Sequence, residues 1–270
     1  MLTLYHNDMS TCAQKVRFAL AEKSLDWESR HLDLRALDQQ KPEYLKLNPN
    51  AVVPTLVHDD IVVIESTVIN EYIDDAFTGV PLRPSAPAER ARVRLLAKKL
   101  DDGLHAATGV ISTAIAFRYQ KLERGEDSVR QSLANMPDPE KRKRNESTIL
   151  QGTQSSYFAS AVTEFDNLLE QFEATLSRQR WLAGASFSLA DIAYAPYMTR
   201  LDHLQMAGMW DRRPAVAEWY QRLQARRGYQ EGLVRWFNSK YLPLMAEKGR
   251  EAQPVIAEIL ESSAKAYAAG

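Results

Sequence analysis

The sequence predicts an α/β region over residues 1–78 and an all-helical region over residues 89–270, joined by a linker at 79–88. Short strand-like and helix-like segments alternate in the first region in the order β-α-β-α-β-β-α, which is typical of a compact unit with a split βαβ arrangement. After the stretch TGVPLRPSAPAE, strand patterns nearly vanish and long helical periods follow. Because 45% of the 270 residues are apolar, the chain has enough apolar side chains for a proper core.

The elements of the first region follow from local periodicity and turn residues. Apolar and polar side chains alternate in LTLYH, as they do in a strand, and Asp59 and Asp60 form a tight turn between two further strands. The predicted elements are a strand at 2–6, a helix at 12–23, a strand at 27–34, a helix at 41–47, two strands within 54–66 and a helix from 65 or 66 to 76.

The second region is predicted to hold helices at 87–120, 147–179 and 188–204 and others from residue 214 onward. Residues 123–145 are polar and contain two prolines, so a loop or an irregular helical excursion is predicted there, with its KRKR run as a solvated face. Ser188 is a good N-cap and Asp191 stands three places later. This pair predicts a capping box and a folding role for Asp191 rather than a catalytic one.

Composition argues against several classes of protein. The 34 Lys and Arg residues balance 35 Asp and Glu residues, so nucleic-acid binding is not expected. A single cysteine makes an intramolecular disulfide impossible and fits a reducing compartment. The N-terminus lacks a signal-peptide pattern, the longest apolar stretch is too short for a membrane span, and the five histidines lack metal-ligand spacing. We therefore expect a cytoplasmic protein that binds no metal and no membrane.

Residues that could carry chemistry stand where predicted helices begin. Ser10 precedes the first helix, where free backbone N–H groups and the helix dipole stabilise an anion such as a thiolate. Cys12, two residues later, is the alternative candidate as a reactive thiol. Glu65 and Ser66 supply an acid and a hydroxyl at another helix start, where N–H groups suit a carboxylate.

A further candidate binding element lies in AVVPTL, where Pro54 stands at the mouth of a strand. A cis bond there would turn the backbone of Val53 outward and offer its N–H and C=O to an extended ligand, as an added strand requires. Together with the two helix starts, this element predicts a site for a peptide-like anionic ligand.

These motifs resemble those of the cytosolic glutathione transferases. NPNAVVPTLVHDDIVVIEST, residues 48–67, matches the family's asparagine-proline, valine-proline and glutamate-serine pairs at the right spacing, and FSLADI matches the cap of its buried core helix. The resemblance covers nearly the whole chain. It implies a thioredoxin-like glutathione-binding domain over 1–78, followed by an all-α domain over 89–270 that contributes the acceptor-substrate pocket.

The resemblance implies an enzyme that activates the thiol of glutathione for attack on a hydrophobic electrophile, by conjugation or by cleavage of an ether or a halide. Glutathione is then the co-substrate. The helical domain is longer than in compact members of the family, and this length is similar to that of bacterial members that act on aromatic ethers or halogenated compounds.

Carried over position by position, the resemblance implies four glutathione contacts. Val53 binds the glutathione cysteine through its backbone, with Pro54 in the cis form. Glu65 binds the amine of the γ-glutamyl end, and Ser66 binds its carboxylate. Lys41 falls where omega-like members direct a lysine toward the glycyl carboxylate, with a plain surface charge as the alternative.

The stretch STCAQKVRFAL resembles the zeta-like signature, a serine-rich triplet before a basic residue, valine and arginine. Ser10 takes the position of the activating serine, which is a cysteine in omega-like members. We therefore assign the thiolate-stabilising hydroxyl to Ser10, with Thr11 as the alternative, and place Cys12 in the glutathione site as a packing residue. Two other functions stay open: a glutathione-dependent thiol reductase that uses Cys12, and a non-catalytic glutathione- or ligand-binding protein.

The acceptor pocket and the oligomeric state are the last expectations. The candidate pocket-lining residues are Ile115, Tyr119, Trp236 and Phe237. The family usually forms homodimers, and we expect one here. Its predicted charged contact pairs acidic residues of one subunit with basic residues of the next helix of the other subunit, namely Glu71, Asp74 and Asp75 with Arg90, Arg92, Arg94 and Lys98.

Overall fold

The computed structural model describes residues 1–134, 136 and 138–268, with side chains described through residue 263. The chain divides into two compact units, each made of three segments. Unit 1 comprises Met1–Lys98, Leu176–Met198 and Glu218–Asn238, and unit 2 comprises Lys99–Thr175, Thr199–Ala217 and the chain from Ser239 onward. The predicted domains are continuous in sequence, with limits at residues 78 and 88, whereas each unit combines separate segments of the chain. The predicted limits remain a prediction.

Unit 1 is built on a four-stranded sheet in the order β2-β1-β3-β4. Strand β1 (Leu2–His6) pairs in parallel with β2 (Glu28–His31) and antiparallel with β3 (Thr55–His58), which pairs antiparallel with β4 (Ile61–Ile64). Strand β2 is shorter than predicted because it is a mostly exposed edge strand whose register reaches only the end of β1. The predicted order β-α-β-α-β-β-α is confirmed.

Helix α1 (Thr11–Glu22) connects β1 to β2, α2 (Pro42–Leu45) lies between β2 and β3, and α3 (Ser66–Ala76) follows β4. Pro42 occupies the first turn of α2, where its missing N–H is not needed. The side chains of Leu4, Phe18, Leu56 and Ile69 are fully buried, so the core of this unit joins β1, α1, β3 and α3.

The remaining helices confirm the change to helical structure after the linker. Their bounds are α4 Pro87–Lys99, α5 His105–Ser112, α6 Arg118–Leu122, α7 Glu126–Ala134, α8 Pro139–Gln151, α9 Ser156–Leu176, α10 Leu189–His203, α11 Pro214–Gln224, α12 Arg227–Gly232 and α13 Tyr241–Ala268. Short π-helical segments, Leu100–Leu104 and Thr113–Phe117, follow α4 and α5. None of the helices that the structure describes is long and apolar enough to cross a membrane.

One helix prediction in the second region needs correction, and one open alternative is decided. The single helix predicted over 147–179 is two helices: α8 begins earlier, at Pro139, and ends before Gly152, whose φ of 59° favours glycine, and α9 follows over Ser156–Leu176. Of the two alternatives for residues 123–145, the helical excursion is confirmed, because α7 and the start of α8 make up most of the described part of this range. Asp138 accepts hydrogen bonds from the N–H groups of Glu140 and Lys141, so the Asp-Pro pair starts α8.

The predicted capping box at the start of α10 is confirmed. One carboxylate oxygen of Asp191 accepts hydrogen bonds from the N–H and hydroxyl of Ser188 at 3.0 and 3.3 Å. The other oxygen accepts from the Leu182 N–H at 3.0 Å and the Trp219 indole at 2.9 Å. Asp191 is fully buried, so these donors hold a carboxylate inside the core of unit 1.

Candidate functional site

Ser10 is the N-cap of α1. Its backbone is extended, with φ −72° and ψ 115°, and its Oγ accepts a hydrogen bond from the Ala13 N–H at 3.2 Å. The bond uses the oxygen as an acceptor, so the hydroxyl proton can be donated to another atom. A hydrogen-bond donor thus stands at the positive end of a 12-residue helix.

The two neighbours of Ser10 occupy the first two positions of α1. Thr11 is 5% exposed, and Cys12 is half-buried and not in a disulfide. Cys12 is therefore placed inside the helix rather than at the cap. The choice of Ser10 over Thr11, and the packing role of Cys12, remain predictions.

The loop that leads from β1 into Ser10 is held by Arg17, whose side chain is buried. The guanidinium donates to the carbonyl oxygens of Asn7 at 2.9 Å and Asp8 at 3.2 Å. The side-chain amide of Gln14 donates to the same Asp8 carbonyl at 3.2 Å. Arg17 lies two helical turns from Ser10, on the same face of α1, and this spacing is the signal by which sequence reasoning could have found its role.

Arg17 is itself fixed from two further sides. Its Nε donates to the Gly232 carbonyl at 2.9 Å. A Cβ on Gly232 would lie 2.7 Å from the Phe18 backbone, so only glycine allows this approach of α12 to α1. Burial lowers the pKa of Arg17 to about 9, opposed by the nearby Asp8 charge.

His6 completes this buried network. Arg17 can only donate, so the His6 Nδ1, 3.1 Å away, is the acceptor. The His6 Nε2 then carries the proton and donates to the Ser29 Oγ at 2.8 Å. Burial, together with the charges of Arg17 and His31, lowers the pKa of His6 to about 3, so this ring is neutral at physiological pH.

The Val53–Pro54 peptide bond is cis, as the family resemblance implied. The hydroxyl of Tyr44 and the side-chain amide of Asn48 donate to the Val52 carbonyl at 2.6 and 2.9 Å and so anchor the preceding residue. Within the described part of the chain, the Val53 N–H and C=O make no hydrogen bond. An extended ligand could therefore pair with the backbone of Val53.

Glu65 and Ser66 stand at the start of α3. Glu65 has a φ of 67°, which is unusual for a residue other than glycine and points to a functional constraint. Its carboxylate is exposed and lies 3.5 Å from the side-chain amide of Asn50. Ser66 is 5% exposed, and its hydroxyl makes no hydrogen bond to any residue that the structure describes. An acid beside a helix N-terminus suits a ligand that carries an amine and a carboxylate.

Lys41 already has an ionic partner. Its Nζ lies 2.7 Å from the Asp38 carboxylate, and the side chain is 55% exposed. The hydrogen bond and charge of Asp38 raise the pKa of Lys41. The assignment of Lys41 to a ligand carboxylate remains a prediction, and binding there would compete with Asp38.

The residues predicted to line the acceptor pocket belong to both units. In unit 2, Ile115 is 2% exposed and Tyr119 is half-buried, with the Lys248 ammonium 4.9 Å from its ring centroid. In unit 1, Trp236 packs in an aromatic cluster that includes Trp27. Phe237 follows Trp236, and the pocket-lining role of all four residues remains a prediction.

The acidic residues of α3, which the predicted contact between subunits uses, already pair with basic residues of their own chain, and that contact remains a prediction. Arg94 makes two hydrogen bonds to Glu71 at 2.9 and 3.0 Å. Asp74 is contacted by Lys23 and by Arg83, each at 2.9 Å. Arg83 also pairs with Asp75. The sequence shows these charges but not that α3 faces the linker and α4 of its own chain.

Among the residues that the structure describes, no three His, Cys, Asp or Glu side chains lie together in an arrangement that could hold a metal ion.

Two family models and several known proteins are similar to this chain. The model of the N-terminal domain of glutathione S-transferases matches residues 9–76, and that of their C-terminal domain matches residues 122–222. A tetrachloro-p-hydroquinone reductive dehalogenase of Sphingobium chlorophenolicum is 28% identical over 246 residues, covering 86% of this chain and 96% of the relative. Protein LigF of Sphingobium sp. strain SYK-6 is 29% identical over 245 residues, covering 85% and 92%. The crystal structure of beta-etherase LigF has a TM-score of 0.76 at 27% identity, covering 87% of this chain and 99% of that one.

Proposed function

Because the chain belongs to the glutathione S-transferase family, we propose that it activates the thiol of glutathione for attack on a hydrophobic electrophile. The observation that carries this proposal is Ser10, a hydroxyl donor at the N-terminus of α1 that follows a loop held by a buried arginine. The glutathione-binding function is assigned to residues 1–78 and acceptor recognition to the helical region 89–270. The single cysteine is in keeping with a cytoplasmic enzyme.

The energetics of thiol activation match what one hydroxyl and one helix end supply. A free thiol has a pKa of about 8.5, so only a few per cent is thiolate at pH 7. Lowering that pKa by about 2 units needs about 2.7 kcal/mol of differential stabilisation. A hydrogen bond to a charged group contributes about 1.5–3 kcal/mol and a helix end about 0.3–1 kcal/mol. Ser10 and α1 therefore suffice, and no histidine base is required.

The reaction is a substitution. The glutathione thiol loses its proton to solvent, and the thiolate, stabilised by Ser10, attacks the electrophilic carbon. A carbon–sulfur bond forms while the bond from that carbon to a halogen or to an ether oxygen breaks, and the leaving group departs with the electron pair. The names of two relatives, a reductive dehalogenase and a beta-etherase, support a halide or the oxyanion of a cleaved ether as the leaving group for this chain.

Glutathione itself is held by the second part of the site. The free N–H and C=O of Val53 pair with the backbone of its cysteine. The carboxylate of Glu65 receives its amine, and Ser66 and the N-terminus of α3 receive its α-carboxylate. Lys41 is assigned to the glycyl carboxylate. These contacts are the same in the ground state and the transition state, so they act on binding.

We predict that Glu65→Ala and Ser66→Ala raise the KM for glutathione about tenfold or more while turnover at saturating glutathione changes little. Glu65→Ala leaves the amine of glutathione without its partner, and Ser66→Ala removes one of the hydrogen bonds to its α-carboxylate. Steady-state kinetics with varied glutathione and a fixed acceptor measures both parameters. Thr67→Ala, at the next position of α3, is the matched control. Equal losses in turnover with an unchanged KM would contradict the assignment.

We also propose a homodimer, whose subunits contact each other through apolar side chains rather than through charged ones. Ile61, Val62, Val68 and Leu95 are between 43% and 68% exposed, on β4, α3 and α4. Val68 lies one turn from Glu71 and Leu95 follows Arg94, so both stand beside the ion pair that joins α3 to α4. Exposed aliphatic side chains in such a region are typical of a subunit contact.

The dimer is expected to persist at high salt, because apolar burial does not weaken as salt screens charge. Sedimentation at low and high salt measures this. Val68→Glu combined with Leu95→Glu should give a monomer, whereas Leu150→Glu, an exposed leucine of unit 2, should not. A 30.6 kDa species in both buffers for the unaltered chain would contradict the proposal.

The proposed activity is tested with a panel of aryl halides, aryl ethers, peroxides and disulfides, each with glutathione. Turnover of a halide or an ether that survives Cys12→Ser supports the transferase. Turnover confined to disulfides and lost in Cys12→Ser would instead indicate the thiol reductase. Retention on a glutathione column without any turnover would indicate a binding protein.

A further inference from the structure

A short segment after α12 contacts the loop that leads into Ser10. This segment, residues 234–238, is called the strap here. It begins with a turn of 3-10 helix, Val234–Trp236, and all of it lies in unit 1 with the loop. The side-chain amide of Asn238 donates to a carboxylate oxygen of Asp8 at 2.6 Å.

Trp236, two residues before Asn238, packs the strap against the rest of unit 1. Its ring stacks on Trp27 at 5.6 Å and meets the edge of His6 at 4.7 Å. The guanidinium of Arg17 lies 5.2 Å from the same ring. Arg17 also donates to the Asp8 carbonyl, so the same buried guanidinium contacts both Trp236 and the loop. The packing of Trp236 therefore restricts the position of the Asn238 side chain.

The contact with Asp8 falls two residues before Ser10. The other Asp8 carboxylate oxygen accepts from the Met9 N–H at 2.8 Å, and the Asp8 N–H points to the His31 Nε2 at 3.3 Å. The Asp8 carboxylate therefore bridges the strap to the residue that directly precedes Ser10. A shift of Asp8 would move Met9 and, through it, the cap of α1.

We propose that Asn238 is a positioning residue for Ser10, acting through Asp8. This inference rests on the proposed function, in which the Ser10 hydroxyl donates to the glutathione thiolate. A hydrogen bond of this kind depends on the donor being held to a fraction of an ångström, and the strap supplies part of that restraint. Ser10 is therefore held in place both by its own helix, α1, and by the strap.

The test is the apparent pKa of the glutathione thiol bound to the enzyme, read from thiolate absorbance against pH. Asn238→Ala should raise the pKa of the bound thiol, so that turnover at pH 7 falls about three- to tenfold. The KM for glutathione should stay within about twofold of the value for the unaltered enzyme. Asn238→Asp, the same size but without the donor, should raise the pKa at least as much. Arg235→Ala is the matched control, since Arg235 is exposed on the strap and contacts no described residue through a hydrogen bond or ion pair.

Ser10→Ala and the double variant Ser10→Ala with Asn238→Ala separate the two claims. If Ser10→Ala raises the thiol pKa and the double variant adds nothing, Asn238 acts through Ser10. If Ser10→Ala raises it but both Asn238 variants match the unaltered enzyme, the inference is overturned and the proposed function stands. An additive effect in the double variant overturns the inference as well. No change in Ser10→Ala overturns the proposed function itself.

Discussion

Replacing Ser10 by alanine is expected to lower turnover at pH 7 by about 3- to 25-fold, in proportion to the lost thiolate. The change removes one hydrogen bond to the thiolate, worth about 1.5–3 kcal/mol, so the thiol pKa rises by about 1 to 2 units. The midpoint of the pH profile of turnover should move up by the same amount. Because the KM for glutathione depends on Val53, Glu65 and Ser66, it should change by less than a few fold.

The neighbours of Ser10 supply the controls for this experiment. Cys12→Ser and Thr11→Val keep the size of each side chain and should leave the pH profile in place. A shift of the midpoint in Thr11→Val, with Ser10→Ala unchanged, would move the thiolate-stabilising role to Thr11. A loss of turnover in Cys12→Ser with an unshifted profile would point to thiol chemistry at Cys12.

The second large effect is on stability. Asp191→Ala is expected to lower the free energy of unfolding by about 3–5 kcal/mol, because it leaves the Leu182 and Ser188 N–H groups and the Trp219 indole buried without an acceptor. Chemical denaturation measures the loss. Asp191→Asn keeps one acceptor oxygen and should lose less. Equal stability of Asp191→Ala and the unaltered chain would contradict the folding role.

Asp191 should also give the stability a pH dependence. Burial raises the pKa of Asp191 from 3.8 to about 6, although four hydrogen bonds oppose the rise. A carboxyl whose pKa is higher in the folded state contributes stability that is fully present below the unfolded value and is lost as pH rises through the folded value. The unaltered chain should therefore gain stability relative to Asp191→Asn between pH 7 and pH 5. A difference that stays constant over this range would contradict the raised pKa.

Much of the fold and the outline of the site could be predicted because their signals are local. The N-cap role of Ser10, the turn at Asp59, the start of α2 at Pro42 and the capping box of Asp191 each depend on residues within a few positions of one another. A family pattern added the cis bond before Pro54, which the structure confirms.

What could not be predicted depends on contacts between distant parts of the chain. Asp8 and Asn238 are 230 residues apart, and Arg17 and Gly232 are 215 apart. No spacing rule links such residues, so the contact of Asn238 with Asp8 and that of Gly232 with Arg17 could not be predicted. The same limit applies to charge pairing, since the sequence does not show that the fold places Arg94 against Glu71 of its own chain.

The central claim, that the start of α1 with Ser10 stabilises the thiolate of glutathione, is tested most directly by titrating glutathione bound to the unaltered enzyme. Thiolate absorbance is recorded against pH at saturating protein, with free glutathione titrated in parallel. An apparent pKa about 2 units below the ordinary thiol value, near 6.5, is the predicted result. A bound thiol that titrates at the same pH as free glutathione would contradict the claim.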